Sequence, residues 1–175
     1  LLLCAGPWMP ELLGSVGATL AVERQVQHWF TPAREADAFT RMPTFIRQTA
    51  EAVFYALPPR DGAIKVAVHH EGERASPDTV RRTVSGKEIA ATRVLLQRYI
   101  PALAGEHRRA AVCLYTNSAD GDFVIDWHPS HRTVLVASPC SGFGFKFASA
   151  IGEILADLLT GGTSWYDLAP FRIGR

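Results

Sequence analysis

Three short stretches of this 175-residue sequence carry side chains able to do chemistry. The first is AIKVAVHH, residues 63–70. Side chains alternate faces along a strand, so Lys65, Ala67 and His69 point one way and Ile64, Val66 and Val68 the other. An ammonium and an imidazole separated by a small residue leave room for something flat to lie over the strand. Burying a lysine inside a sheet without a partner is costly, so the plain alternative is an edge strand whose wet face carries Lys65 and His69. The second stretch is AVCLYT, residues 111–116. Cys113 and Tyr115 share a face with Ala111, while Val112 and Leu114 fill the other; a reactive thiol facing a cofactor and a cysteine used as core filler both fit. The third is SPCSGFGFKFAS, residues 138–149. Gly142 and Gly144 bracket a turn ahead of a helix, whose first N–H groups and dipole favour a negatively charged ligand atom. Lys146 adds positive charge. The spacing imitates the first half of a GxGxxG fingerprint, but Phe147 stands where the third glycine belongs and no strand comes after it to supply a ribose-binding acid. It suits contact with an anionic or polar ring edge. The alternative is a turn needing glycine dihedrals before a core helix of Ile151, Leu155 and Leu158, with Gly152 for close packing.

Other candidates are weaker. His128 and His131 in HPSH lack a Cys, Asp or Glu cluster to complete a metal site, so a surface loop is expected and no metal is assigned. His69 and His70 face opposite ways on a strand and cannot chelate together. No GxSxG, HExxH or P-loop motif occurs.

The bulk properties exclude several classes. The formal net charge is +1, with 47% hydrophobic and 20% charged residues, which gives no electrostatic case for nucleic acid or an anionic membrane. No apolar run approaches the roughly 20 residues of a spanning helix. The 3 cysteines, Cys4, Cys113 and Cys140, form no CxxC pair, and a reducing, cytoplasmic setting is the default. The opening LLLCAGPW reads as a buried strand entering a turn, with no basic region ahead of it to suggest a signal peptide. A chain cut inside a fold, with the remainder upstream, is the expectation.

Around these stretches the elements follow from periodicity. A short helix is expected at 10–17, a strand at 20–31 with Val22, Arg24, Val26 and His28 on one face and Glu23, Gln25, Gln27 and Trp29 on the other. A loop at 31–43 precedes a strand pair at 44–48 and 51–58. SPDTVRRT, 76–83, carries a helix-start signature in Ser76 and Pro77. Residues 86–101 form an amphipathic helix stopped by Pro101. Strands come next at 108–116, 122–129 and 133–139, then the helix within 142–161. Hairpins flanked by a few helices mean an α+β fold with a mixed, mainly antiparallel sheet.

In this order, CAGPWMPELL, VERQVQHWF, FYALP, IKVAVHHEG, SPDT, AAVCLYT, DFVIDWHPSH, CSGFGFKFASAIGEILADLL and YDLAPFRIGR resemble the C-terminal half of the monomeric sarcosine oxidase and N-methyltryptophan oxidase family, FAD-dependent amine oxidases of the D-amino-acid-oxidase superfamily. The resemblance implies a substrate-side lobe over 20–112, a remnant of the FAD lobe over 1–19 and a return to it over 113–175. It implies FAD bound covalently through Cys113. It makes Lys65 the lysine that promotes reaction with dioxygen, and His69 and Tyr115 pocket residues beside the substrate amine. Tyr55 becomes a pocket tyrosine, and Lys146 a partner of the substrate carboxylate. Gly142, Phe143, Gly144 and Lys146 contact the cofactor. The family motif reads SGHGFKF, and here Phe143 replaces its histidine. The implied activity is oxidation of an N-methyl or cyclic amino acid to an imine with hydrogen peroxide formation. A superfamily dehydrogenase that bypasses dioxygen and a flavin-free binding module are the rivals. Without a GxGxxG cradle the chain alone is expected to hold no FAD, and its leading strand to offer an edge through which copies pair.

Overall fold

A computed structural model of the chain describes residues 1–14, 16 and 19–175. The architecture is α+β with mainly antiparallel sheets, as the hairpin-rich pattern predicts. The chain divides into two compact units. One contains Leu1–Glu23, Arg74–Asp78 and Leu114–Arg175; the other contains Arg24–Glu73 and Thr79–Cys113.

In chain order the elements begin with β1 (Leu2–Leu3), α1 (Met9–Leu13), β2 (Leu20–Phe30), α2 (Ala36–Phe39) and β3 (Phe45–Gln48). They continue with β4 (Val53–Arg60), β5 (Ala63–Val68), α3 (Gly86–Tyr99), β6 (His107–Ser118), β7 (Val124–His128), β8 (His131–Ser138) and α4 (Ala148–Thr160). Of the helix expected at 10–17, α1 forms its first part; Ser15 and Gly17, with Ala18, lie outside the described residues.

The Arg24–Cys113 unit is organised on a five-stranded sheet of order β3-β4-β5-β2-β6. The β4–β5 hairpin turns at Asp61 and Gly62, both with positive φ (54° and 73°), as a tight turn matched to the twist of its strands requires. Register shifts between Leu57 and Arg60, where Pro58 and Pro59 have no N–H to give the ladder. One face is packed by α3: Phe30, Phe54, Ala56, Ile64 and Val66 from the strands enclose Leu96 and Leu103. The helix expected at 76–83 does not form; that segment holds only a turn, and the cap signal is Ser85. Its hydroxyl accepts from the Glu88 N–H while the Glu88 carboxylate accepts from the Ser85 N–H, a complete capping box. Glu88 also pairs with Arg24, 3% exposed, at 2.6 Å, and Arg24 donates onward to the carbonyls of Arg81 and Thr83. A buried guanidinium is thereby neutralised and bonded, the condition under which it can be tolerated.

The other unit holds a three-stranded sheet, β1-β8-β7, with β1 parallel and β7 antiparallel to β8. So the strand expected at 108–116 does not join its two successors: β6 pairs in the five-stranded sheet. One side packs Phe123, Ile125, Leu135 and Ala137 against Ile151, Ile154 and Leu155 of α4; a second cluster packs Val124 and Val136 against Met9 and Leu13 of α1.

Candidate functional site

Antiparallel register decides what stands beside what on the sheet face away from α3. Tyr55 on β4 lies opposite Ala67 on β5, and Ala67 lies opposite Gln27 on β2. One row along, Leu57, Lys65 and Trp29 face one another in the same way. The strand that carries Lys65 is the middle one of five, which removes the edge-strand reading. Lys65 is half-buried, its Nζ 5.8 Å from the centroids of both the Trp29 and the Tyr55 rings. A cation over an aromatic face is stabilised by the ring quadrupole. Burial lowers the Lys65 pKa, and the neighbouring Cys113 acts in the opposite sense.

Cys113, on β6, is half-buried and accepts a hydrogen bond from Gln27 Nε2 at 3.2 Å. Burial raises its thiol pKa; Lys65, the Gln27 bond and Arg82 pull it back down. The thiol is half-buried, on a face that also presents a cation. Arg109, four residues back on the same strand, stacks its guanidinium 3.9 Å above the Trp29 ring. Small residues keep part of this face low, with Ala67 between Lys65 and His69 and an exposed Ala111 before Cys113. His69 lies just past the end of β5, its ring 6.4 Å from that of Tyr55. His70 has a φ of 58° and brings its ring to 4.1 Å from His69, so strand alternation stops at Val68 and the two do not diverge.

This unit thus brings together Tyr55, Lys65, His69 and Cys113. Gln27, Trp29 and Arg109 join them, residues to which the sequence alone assigns no role. Period-two alternation does place Gln27 and Trp29 on one face; the missing information was which strands flank β2.

The remaining expected residues belong to the other unit. Tyr115 is two residues beyond Cys113 on β6. Ser141 and Gly142 take left-handed backbone (φ 47° and 82°), after which Gly144–Phe147 form a 3-10 turn leading into α4. Gly144 is obligatory: a Cβ there would lie 1.7 Å from the Pro139 carbonyl oxygen. Gly152 does not serve close packing, since a Cβ on it would meet no atom within 4 Å. Phe143 packs at 5.2 Å on Phe123, Phe145 is 96% exposed, and Lys146 is exposed with its Nζ 5.6 and 5.3 Å from the Phe143 and Phe147 ring centroids. His128 and His131 flank the two-residue β7–β8 turn with rings 4.7 Å apart. Among the described residues no group of three His, Cys, Asp or Glu could hold a metal, and no helix is long and apolar enough to cross a membrane.

The fold that presents these residues recurs in two solved oxidase structures. A thermally stable mutant of fructosyl peptide oxidase aligns with a TM-score of 0.77 at 23% identity, covering 98% of this chain and 44% of that one. NikD, described as an unusual amino acid oxidase essential for nikkomycin biosynthesis, aligns at 0.76 and 18%, covering 98% and 47%. The chain belongs to the FAD dependent oxidoreductase family, whose model matches residues 1–158. Its relatives include monomeric sarcosine oxidase of Streptomyces avermitilis, 40% identical over 98% of this chain and 46% of that protein. Monomeric sarcosine oxidase of Bacillus sp. is 33% identical over 100% and 46%, and N-methyl-L-tryptophan oxidase of Salmonella heidelberg 33% over 99% and 47%. The chain spans about half the length of these relatives.

Proposed function

We propose that the protein containing this chain is an FAD-dependent oxidase of secondary amino acids, converting an N-methyl or cyclic amine to an imine. The observation that carries this reading is the placement of the Cys113 thiol and the Lys65 ammonium on one sheet face, low at Ala67 and Ala111. A flat ring fits there with a sulfur in reach of attachment and a cation beside it. FAD, which Cys113 would hold, would supply the two-electron oxidation of the amine with dioxygen as final acceptor, giving hydrogen peroxide and an imine that water hydrolyses.

Each role is one the side chain can perform. Cys113 would supply the sulfur of a covalent thioether, its S–H and a C–H of the flavin giving way to the C–S bond while two electrons and two protons pass to dioxygen. Lys65 holds positive charge where negative charge collects when dioxygen is reduced, and a preorganised charge in a half-buried site acts more strongly than one in water. Tyr55 and His69 are assigned to the substrate amine, and Tyr115 of the other unit takes the same role by its match to the family motif. Lys146 pairs with the substrate carboxylate through a charge-assisted bond, and Gly142, Phe143 and Gly144 approach the ring edge. Phe143 puts a phenyl ring where the family motif has histidine, so this position exchanges no proton. The sarcosine and N-methyltryptophan oxidases among the relatives support the substrate class. Three free thiols suit a reducing, cytoplasmic location.

The test is acid precipitation of the whole protein with a peroxidase-coupled assay on sarcosine and cyclic secondary amino acids. Yellow colour should stay with the precipitate in the wild type and leave it in Cys113→Ser. Colour wholly in the wild-type supernatant refutes the attachment. Bound flavin that is reduced by the amine but yields no peroxide refutes the oxidase.

A further inference from the structure

We propose that Gln27 is a positioning residue for the Cys113 thiol, its carboxamide N–H holding the sulfur on the sheet face shared by Lys65 and Tyr55 and favouring its thiolate. The inference rests on the reading of Cys113 as the reactive thiol of this face.

Gln27 occupies the row of Tyr55 and Ala67, and β2 is the strand between β5 and β6. A side chain at this position is therefore bounded by the strand of the lysine on one side and the strand of the cysteine on the other. Ala67 opposite it offers nothing to bond. Nε2 lies 3.2 Å from Cys113 Sγ, within reach of a hydrogen bond to sulfur. The geometry gives this bond two effects. It selects the Cys113 rotamer that keeps sulfur on the open face. It also bonds more strongly to the anion than to the neutral thiol, because a donor favours the charged form of its acceptor. The direction agrees with the pull on Cys113, where burial raises the pKa and Lys65 and Gln27 oppose it. Lys65 supplies field without a direct bond; Gln27 supplies direction. On ionisation the thiol proton passes to solvent, so no further reactant is required.

The experiment is alkylation of Cys113 by iodoacetamide in the full chain prepared free of flavin, so that the thiol is unattached, measured between pH 6 and pH 10.5. Peptide-resolved mass spectrometry reads Cys113 apart from Cys4 and Cys140. Gln27→Met removes the donor at nearly constant length. Gln27→Glu keeps the shape and replaces the donor with an acceptor charge. Both variants should shift the rate profile to higher pH, Gln27→Glu the further, lowering the rate at pH 7.5 about three- to tenfold, given tenfold per pKa unit. The plateau at high pH should stay within about twofold. Profiles that superpose on the wild type, shift to lower pH, or fall by one factor at every pH overturn the proposal; the last is the mark of altered access alone. Should Gln27→Met lose its fold by circular dichroism, Gln27→Glu decides the matter. Flavin attachment is read separately by acid precipitation, so a shifted profile without attached flavin would overturn the role of Cys113 and leave the role of Gln27 standing.

Discussion

Lowering the pH from 6.5 to 4.5 should destabilise the Arg24–Cys113 unit, chiefly through His28. His28 sits on the α3 side of β2, 2% exposed, with Nδ1 3.2 Å from Nε2 of His107. Burial lowers its pKa to about 4; the charge of His107 pushes the same way, and Glu88 opposes both. His107 is lowered too, by burial and then by Arg93. An unfolded histidine accepts its proton near pH 6.5, before the folded one does. Between pH 6.5 and 4 the unfolded chain therefore binds more protons, and stability rises with pH across that window. The His28 contribution is complete above pH 6.5 and is lost as pH falls toward 4. At about 1.4 kcal/mol per pKa unit, the difference between unfolded and folded values amounts to roughly 3 kcal/mol, most of it lost by pH 4.5. The window stays above the strongest carboxylates: Glu88, raised by burial but held down by Arg81, Ser85 and Arg24, and Asp120, held down first by Arg175, keep their contributions above the unfolded carboxylate value of about 4 and lose them mainly below it. Urea denaturation at half-unit pH steps, read beside the imidazole NMR shifts of His28, measures both halves of the linkage. His28→Leu should flatten the slope between pH 6.5 and 4.5. A His28 resonance titrating near 6.5, or parallel wild-type and variant slopes, would refute the argument.

Two other outcomes rest on particular contacts. Lys65→Met in the whole flavoprotein should slow reoxidation of the reduced flavin on the order of 10²–10³-fold while leaving its reduction by substrate nearly unchanged; stopped-flow traces with the reverse pattern would make Lys65 a substrate-binding residue. Gly144→Ala should cost about 3 kcal/mol, because its Cβ would strike the Pro139 carbonyl oxygen. Gly152→Ala, open around its Cβ, should gain roughly 0.5–1 kcal/mol of helix stability, so urea midpoints moving in the same direction for both glycines would contradict the packing.

Alternation along single strands was readable from the sequence because it is local: the apolar Ile64 and Val66 are buried and Lys65 lies on the other face. What alternation cannot supply is the identity of the neighbouring strand. Lys65 reads as an edge or a central residue until β2 is placed on one side of β5 and β4 on the other. The same gap separated Gln27 from Cys113, 86 positions apart in sequence. The expected helix at 76–83 failed for a different reason. Ser76 and Pro77 match a helix start, but Asp78 and Thr79 complete a turn with Pro77 and the chain runs on without helix. The complete capping box lies at Ser85 and Glu88, where Glu88 also neutralises Arg24. A cap signal alone says where a helix could begin; a buried partner decides where it does.

The two faces of the five-stranded sheet now separate two kinds of consequence. Toward α3 stand Phe30, Phe54, Ala56, Ile64 and Val66, together with His28 and Arg24, so change on that side is read as stability. Away from α3 stand Gln27, Trp29, Tyr55, Lys65 and Cys113, only partly buried, with Gln27 bonded to Cys113 and Lys65 near the Trp29 and Tyr55 rings across strands. Change there should be read first as chemistry. The strands β2 and β5 contribute to both faces from adjacent positions: His28 beside Gln27, Val66 beside Lys65. A one-residue slip in either would exchange the two sets, placing Lys65 in the core and Ile64 in the open. Register is therefore under double constraint. The apolar core fixes it thermodynamically, and the thiol and ammonium inherit their relative positions from that choice. This is how the proposed reactive face can be carried on the middle strands of a sheet and need not be left to its loops.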